Sequence, residues 1–210
     1  MPRMMKFLAA AVLGLLVLCP PALAADVTPE AQPIVALDGA LIALMKAGSA
    51  GASFQARYDQ IDPAVKQTLN LPVILQNSVG IFWSTLPAAQ QQQLLAVFEQ
   101  FTVASYVNGF SSYGGQQIQL LPAERDVGAK KIVETQIVPA DGSSPTRLDY
   151  VMGDDGGTWQ ATDVLFNGTI SKVAVQASDF SSEVSTGDAT QLIAALKSKV
   201  AALSGGALQD

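Results

Sequence analysis

Apolar positions recur every three to four residues through the first half of the chain, alternate through most of the second half, and return to helical spacing at the end. Leu37, Leu41 and Leu44, widened by Ile42 and Met45, predict a helix within residues 29–48, strongest from Ile34. The stretch AGSAGAS, residues 47–53, reads as a joint. Ser53 is placed to cap a second helix that stops near Asp62-Pro63, because a residue before proline avoids the helical region. A new helix is expected to begin there. Residues 71–83 predict a mostly apolar helix with Gly80 as its weak point, and Pro87 suits the first turn of a long helix ending near Asn108. Leu94, Phe98 and Phe101 form the buried stripe of that long helix.

The run GFSSYGG, residues 109–115, ends the helical regime. Residues 117–121, 130–139, 146–153 and 158–166 carry β-branched or alternating side chains with turn residues between them, and predict four strands in an antiparallel meander. Beyond Asn167-Gly168 a helix is expected over residues 171–184. A last helix starts at Asp188, with Gln191 completing a capping-box-like pair and Leu192, Ile193, Leu196, Val200 and Leu203 as its stripe. Helices, then a sheet, then helices predict an α+β fold: a twisted antiparallel sheet of about four strands wrapped by N- and C-terminal helices in a single domain.

The N-terminus changes the picture of where this domain works. Arg3 and Lys6 precede an apolar run over residues 7–18, and Ala22-Leu23-Ala24 offers small residues where a signal peptidase reads. We read residues 1–24 as a cleaved signal peptide and residues 25–210 as the mature domain, which places it in the periplasm. The run is short for a membrane anchor. Cys19 follows Leu18 and precedes Pro20, which disfavours lipid attachment. Cleavage removes two of the 12 basic residues and none of the 18 acidic ones, taking the net charge from −6 to −8. An acidic chain is a poor ligand for nucleic acid or anionic headgroups, both of which need clustered Lys and Arg.

The chain contains no histidine, and its one cysteine lies within the leader. Catalytic triads built on His, and zinc sites built on His or thiolate, are therefore excluded, and no cofactor or metal is expected. Among the remaining candidates, Asp154-Asp155 sits in a glycine-flanked hairpin turn, where Asp is a common turn former. Asn167-Gly168-Thr169 matches a glycosylation sequon, but Asn-Gly is also a favoured tight turn, and the turn is the better reading. Lys130-Lys131 opens a strand and reads as a solvated edge. The aromatic residues either fill a core or line a cavity left between helices and sheet; apolar cavities are what ligand sites usually are.

Several stretches taken in order resemble the MlaC family of lipid-binding transport proteins. FQARYDQIDPAV supplies Phe54, Arg57 and Tyr58 of a Phe-x-x-Arg-Tyr opening. FWSTLPAAQQQQLLAVFEQFTVASYVNGFSSYGG is similar to the family's long helix and aromatic-glycine exit, and LDYVMGDDGGTWQATDVLFNGTIS to its paired strands ending in Trp159, Asp163 and Val164. FSSEVSTGDATQLIAALKSKV is similar to its terminal helices. Within the family, GTISKVAVQASDF most resembles the hopanoid-associated HpnM branch. Gln176 and Ala177 stand where the wider family has Tyr and Arg, which fits a less charged ligand.

The resemblance implies a carrier of hopanoid or phospholipid between inner and outer membranes. Its partners would be membrane-bound transporter complexes on both sides, with no catalysis and no nucleic acid. It also implies a lipid pocket between sheet and helices. The residues expected to line it are Leu75, Phe82, Trp83, Phe98, Phe101, Tyr106, Leu148, Tyr150, Trp159, Val164, Phe166, Ile170, Val173 and Phe180. Two other functions fit the residues. A cell-envelope hydrolase would need converging carboxylates, for which Glu134, Asp149 and Asp163 lie on neighbouring predicted strands. A structural adaptor would need only a filled core.

Overall fold

The computed structural model describes residues 27–208; the leader expected over residues 1–24 lies outside them. The chain forms α1 (Gln32–Ser49), α2 (Phe54–Thr68), α3 (Leu71–Val79), a 3-10 turn (Gly80–Thr85) and α4 (Ala88–Gly109). Then come β1 (Gln117–Val127), β2 (Lys130–Val138), β3 (Thr146–Asp155), β4 (Thr158–Phe166), the short β5 (Ile170–Ser171), α5 (Lys172–Phe180) and α6 (Thr190–Ser204). The sheet order is β1-β2-β3-β4-β5, every neighbouring pair antiparallel. The α+β meander predicted from the pattern is the observed fold, with β5 as an additional fifth strand.

The helices pack on one face of this sheet. Ile34, Leu37, Leu41 and Leu44 of α1, Ile61 and Val65 of α2, and Leu94, Phe98, Val103 and Val107 of α4 share a core with Val133, Tyr150, Met152 and Ala161 of the sheet. Along α6, Leu192, Ile193, Leu196 and Val200 complete it against α4. Ser53 caps α2 by accepting from Ala56 N at 3.2 Å, and Asn70 caps α3 by accepting from Val73 N at 3.2 Å. The end of α4 is satisfied by a distant side chain: Arg57 Nη2 donates to the Val107 and Phe110 carbonyls. Gly48 makes room for this arrangement, since a Cβ there would lie 2.0 Å from Ser111 O and 3.2 Å from Arg57 Cζ.

Several boundaries differ from those the pattern predicts. Helix α2 runs through Pro63 instead of stopping before it. Ile61 and Val65, both fully buried, hold the helix on either side, and Lys66 pairs with Asp62 at 3.0 Å across it; packing overrides the local proline penalty. Helix α3 ends at Val79, where Gly80 takes a φ of 64°, and only a 3-10 turn continues to Thr85. Strand β1 extends to Val127 through an irregularity between Leu120 and Glu124 that contains Pro122, a residue tolerated at a bulge on an edge strand. Helix α5 stops at Phe180, short of Val184. Helix α6 begins at Thr190, and Gln191 is not its cap. Instead Asp188 Oδ1 accepts from Thr190 N at 2.9 Å, while Gln90 Oε1 of α4 accepts from Ala189 N at 2.8 Å. Thr85 Oγ1 likewise accepts from Gly187 N at 3.0 Å, so the start of α6 is clasped to the start of α4.

Candidate functional site

A cavity of about 480 Å³ lies between the last turns of α4, the sheet and the start of α5. Strand alternation supplies its floor. Ile137 of β2 faces Thr146 of β3, Leu148 faces Phe166 of β4, Tyr150 faces Val164, and Phe166 faces Ile170 of β5, so all share the helix side of the sheet. Helix α4 supplies the roof with Ser105, Tyr106, Gly109 and Phe110, and α5 supplies Lys172 and Val175. Tyr106 and Phe110, one turn apart, stack with centroids 5.9 Å apart.

The hollow exists because small residues meet there. Ser105 and Gly109 stand one turn apart on α4, and a Cβ built at Gly109 would meet no atom within 4 Å. At the other end of the same strands the space is filled. Asn70 N donates to Ala161 O at 2.9 Å, and Leu69 bridges to Ala161, so the α2–α3 junction sits directly on the sheet. The cavity opens where apolar side chains reach solvent: Phe166, Ile170 and Val175 are 48%, 50% and 47% exposed. Soluble proteins seldom leave such residues clustered without a use for them.

A register shift in β4 serves the site. Val151 faces Asp163, yet Met152 faces Ala161, leaving one extra residue in β4. Asp163 is thereby aimed at the start of α5. It accepts from Val164 N at 2.7 Å, Val173 N at 3.1 Å and Ser171 Oγ at 2.5 Å. Ser171 Oγ in turn accepts from Ala174 N at 2.9 Å. The Asn167-Gly168 pair makes the preceding turn, with φ of 52° and 73°, as a tight hairpin requires. At the far end of α5, Phe180 meets Phe98 edge to face at 6.4 Å.

Of the residues expected to line a pocket, Tyr106, Leu148, Tyr150, Val164, Phe166 and Ile170 come together around this cavity. Phe98 and Val173 border instead a small void of about 10 Å³ next to it, which Val164 also touches. Leu75 and Phe180 are buried in the core, and Phe82, Trp83, Phe101 and Trp159 pack against its edge. Trp159 faces Asp154 at the other end of the β3–β4 hairpin, away from the cavity. The sequence reading missed Ser105, Gly109, Phe110, Ile137, Thr146, Lys172 and Val175. Phe110, Ile137 and Val175 were visible as apolar residues at the right alternation or spacing. Ser105, Gly109 and Thr146 gave no hydrophobic signal.

The carboxylates expected to converge for hydrolysis are engaged elsewhere. Glu134 and Asp149 face each other on the outer side of the sheet. Arg125 reaches them at 2.6 and 3.2 Å, and Arg147 at 2.8 and 2.7 Å, in a closed quartet of charge. Asp163 holds α5. Asp154 Oδ1 accepts from Gly157 N at 2.7 Å, an ordinary turn contact. Of the two lysines opening β2, Lys130 donates to Thr162 Oγ1 at 3.0 Å and Lys131 pairs with Glu30 at 2.5 Å. Among the described residues, no group of His, Cys, Asp and Glu is arranged to hold a metal ion, and no helix is long and apolar enough to cross a membrane.

One acid lies behind the cavity wall. Asp38 of α1 is buried, with one carboxylate oxygen lacking a hydrogen-bond partner among the described residues. Burial pushes it up to about 7, and burial together with the Asp38 charge raises Tyr106. Burial, then Tyr106 and Asp38, also raise Tyr150. Folded, Asp38 keeps its proton to about pH 7; unfolded, it loses it near 3.8. Its contribution to stability is therefore complete below pH 3.8 and lost as pH rises through 7. Relative to wild type, Asp38→Asn is expected to gain stability with rising pH, by on the order of 2–4 kcal/mol above pH 7. Urea denaturation of both proteins from pH 4 to 8 checks this; parallel curves would remove Asp38 as the source.

The family model for MlaC protein matches residues 36–198. The chain belongs to the MlaC family. No curated protein matches its sequence. Among solved structures, it is similar to a phospholipid-binding protein from Ralstonia solanacearum in complex with a phospholipid. The two are 21% identical with a TM-score of 0.70, over 83% of this chain and 98% of the other. At that identity the likeness bears on the fold: the MlaC-family meander and its helices are shared.

Proposed function

We propose that this MlaC-family protein is a non-catalytic periplasmic carrier that shelters the hydrocarbon of a lipid in the cavity between α4, α5 and the sheet. In this reading it moves phospholipid or hopanoid between membrane-bound complexes of the inner and outer membranes. The observation that carries the reading is an open apolar cavity of about 480 Å³ with an exposed greasy rim. That volume lies within the roughly 300–1,000 Å³ of ligand pockets. A methylene takes about the space of a water molecule, roughly 30 Å³, so the cavity has room for one long chain. Burying ~10 methylenes contributes about 8 kcal/mol, or micromolar affinity before the costs of binding. The family match and the phospholipid-bound relative support the same reading. The hopanoid alternative rests on the HpnM-like sequence around residues 168–180.

Protein purified from a native periplasm is expected to carry about one lipid per chain, read by organic extraction and mass spectrometry. Repeated preparations with no extractable lipid, from protein that folds normally, would sink the carrier.

A further inference from the structure

Lys172 is the one charged side chain among the described residues that line the cavity. It opens α5 and stands three residues before Val175, so the first turn of the helix turns both side chains to the same space. Its ammonium lies 5.5 Å from the centre of the Tyr106 ring and makes no ion pair with any described residue within 4 Å. Asp163, the acid whose charge acts on it, has its oxygens occupied by Val164 N, Val173 N and Ser171 Oγ. Burial lowers the lysine's affinity for its proton, and the Asp163 charge only partly restores it. Lys172 is half-buried, and an ammonium beside apolar side chains is costly to the extent that water is excluded from it, unless an anion meets it.

Two spaces border Lys172. On its inner side Lys172 borders the small void of about 10 Å³, shared with Thr102, Gln176 and the Asp163 carboxylate, which would repel an anion. Thr102 Oγ1 and Gln176 Nε2 are buried without hydrogen-bond partners among the described residues. That space holds no more than one water molecule. The large cavity on the other side has room for a phosphate or carboxylate beside Tyr106. Its remaining walls, Ile137, Leu148, Val164 and Ile170 among them, favour hydrocarbon.

We propose that Lys172 sets the protein's lipid preference by pairing with the phosphate or carboxylate of an amphiphile whose hydrocarbon chain fills the cavity. This rests on the carrier reading and narrows it: a neutral polycyclic alcohol leaves the ammonium unpaired, whereas a phospholipid answers it. The class is thus an anionic group on a chain, not a free anion.

Delipidated full-length mature protein, titrated below the micelle threshold with hexadecyl phosphate, palmitate and hexadecanol, separates the possibilities. Wild type is expected to bind either acid about tenfold or more tightly than the alcohol. Lys172→Met should erase that difference, read as the ratio of acid to alcohol affinity within the variant, and Lys172→Arg should keep it. Inorganic phosphate alone should bind far more weakly than hexadecyl phosphate. A preference that survives Lys172→Met overturns the inference, as does equal wild-type affinity for acid and alcohol; both leave the carrier standing. Inorganic phosphate binding as tightly as hexadecyl phosphate makes this an anion site and also overturns it. Binding of no amphiphile at all, in protein that melts cooperatively, overturns the carrier reading and this inference together.

Discussion

Gly109→Trp is expected to empty the cavity, cutting lipid recovered with the purified protein at least tenfold, without unfolding the chain. Position 109 is the last residue of α4, on the cavity wall, and its backbone is not in the left-handed region that would demand glycine. A Cβ placed there meets nothing within 4 Å. An indole grown from that point occupies space that a hydrocarbon chain would otherwise fill. Loss of even ten methylenes of buried chain removes about 8 kcal/mol of binding. Replacing a helical glycine contributes about 0.5–1 kcal/mol to folding, so the melting temperature should hold or rise when delipidated variant is compared with delipidated wild type. The control is Gly39→Trp. Gly39 is an exposed helical glycine of α1 whose Cβ also meets nothing within 4 Å, and it lines no part of the cavity. Mass spectrometry of both variants decides the matter: unchanged lipid in Gly109→Trp would show that the ligand lies elsewhere.

Asp163→Ala should give the largest loss of stability of any single polar change at the site. The carboxylate accepts three hydrogen bonds, two of which, from Ser171 Oγ and Val173 N, join β4 to the start of α5. Bonds to a charged group are worth about 1.5–3 kcal/mol each, and they do not add fully when one residue makes all of them. A net cost of about 3 kcal/mol is expected, or roughly 6–12 °C in Tm for a domain of this size. Asp163→Asn keeps an acceptor oxygen and should recover part of it. Hydrogen exchange supplies the diagnostic: protection should fall first over residues 171–180 and stay intact across α4. A melting temperature within a degree of wild type would mean that the β4 irregularity positions α5 without this side chain.

Much of the fold was legible because helices and strands write their burial as period. The stripes of α1, α4 and α6 and the alternation of β2 to β4 are that kind of signal. Pro63 misled: proline's local preference pointed to a stop, but buried neighbours carried α2 through it. The site was less legible. A cavity is made by what is missing, and Ser105, Gly109 and Thr146 leave no hydrophobic mark. Phe98 and Phe180 read equally well as lining or filling; only the edge-to-face contact between them decides for the core. Lys172 did leave a trace, as a lone charge inside the run TISKVAV, but its partner across the fold, Tyr106, is 66 positions earlier in the chain.

The clasp between the start of α4 and the approach to α6 bears on the order of assembly. Its two hydrogen bonds join residues 102 and 99 positions apart, whereas the sheet is stitched together by neighbours. Closing so long a loop costs entropy that only the finished contact repays. A chain still emerging from the ribosome can zip its hairpins early, but the start of α4 stays unclasped until the segment before α6 arrives.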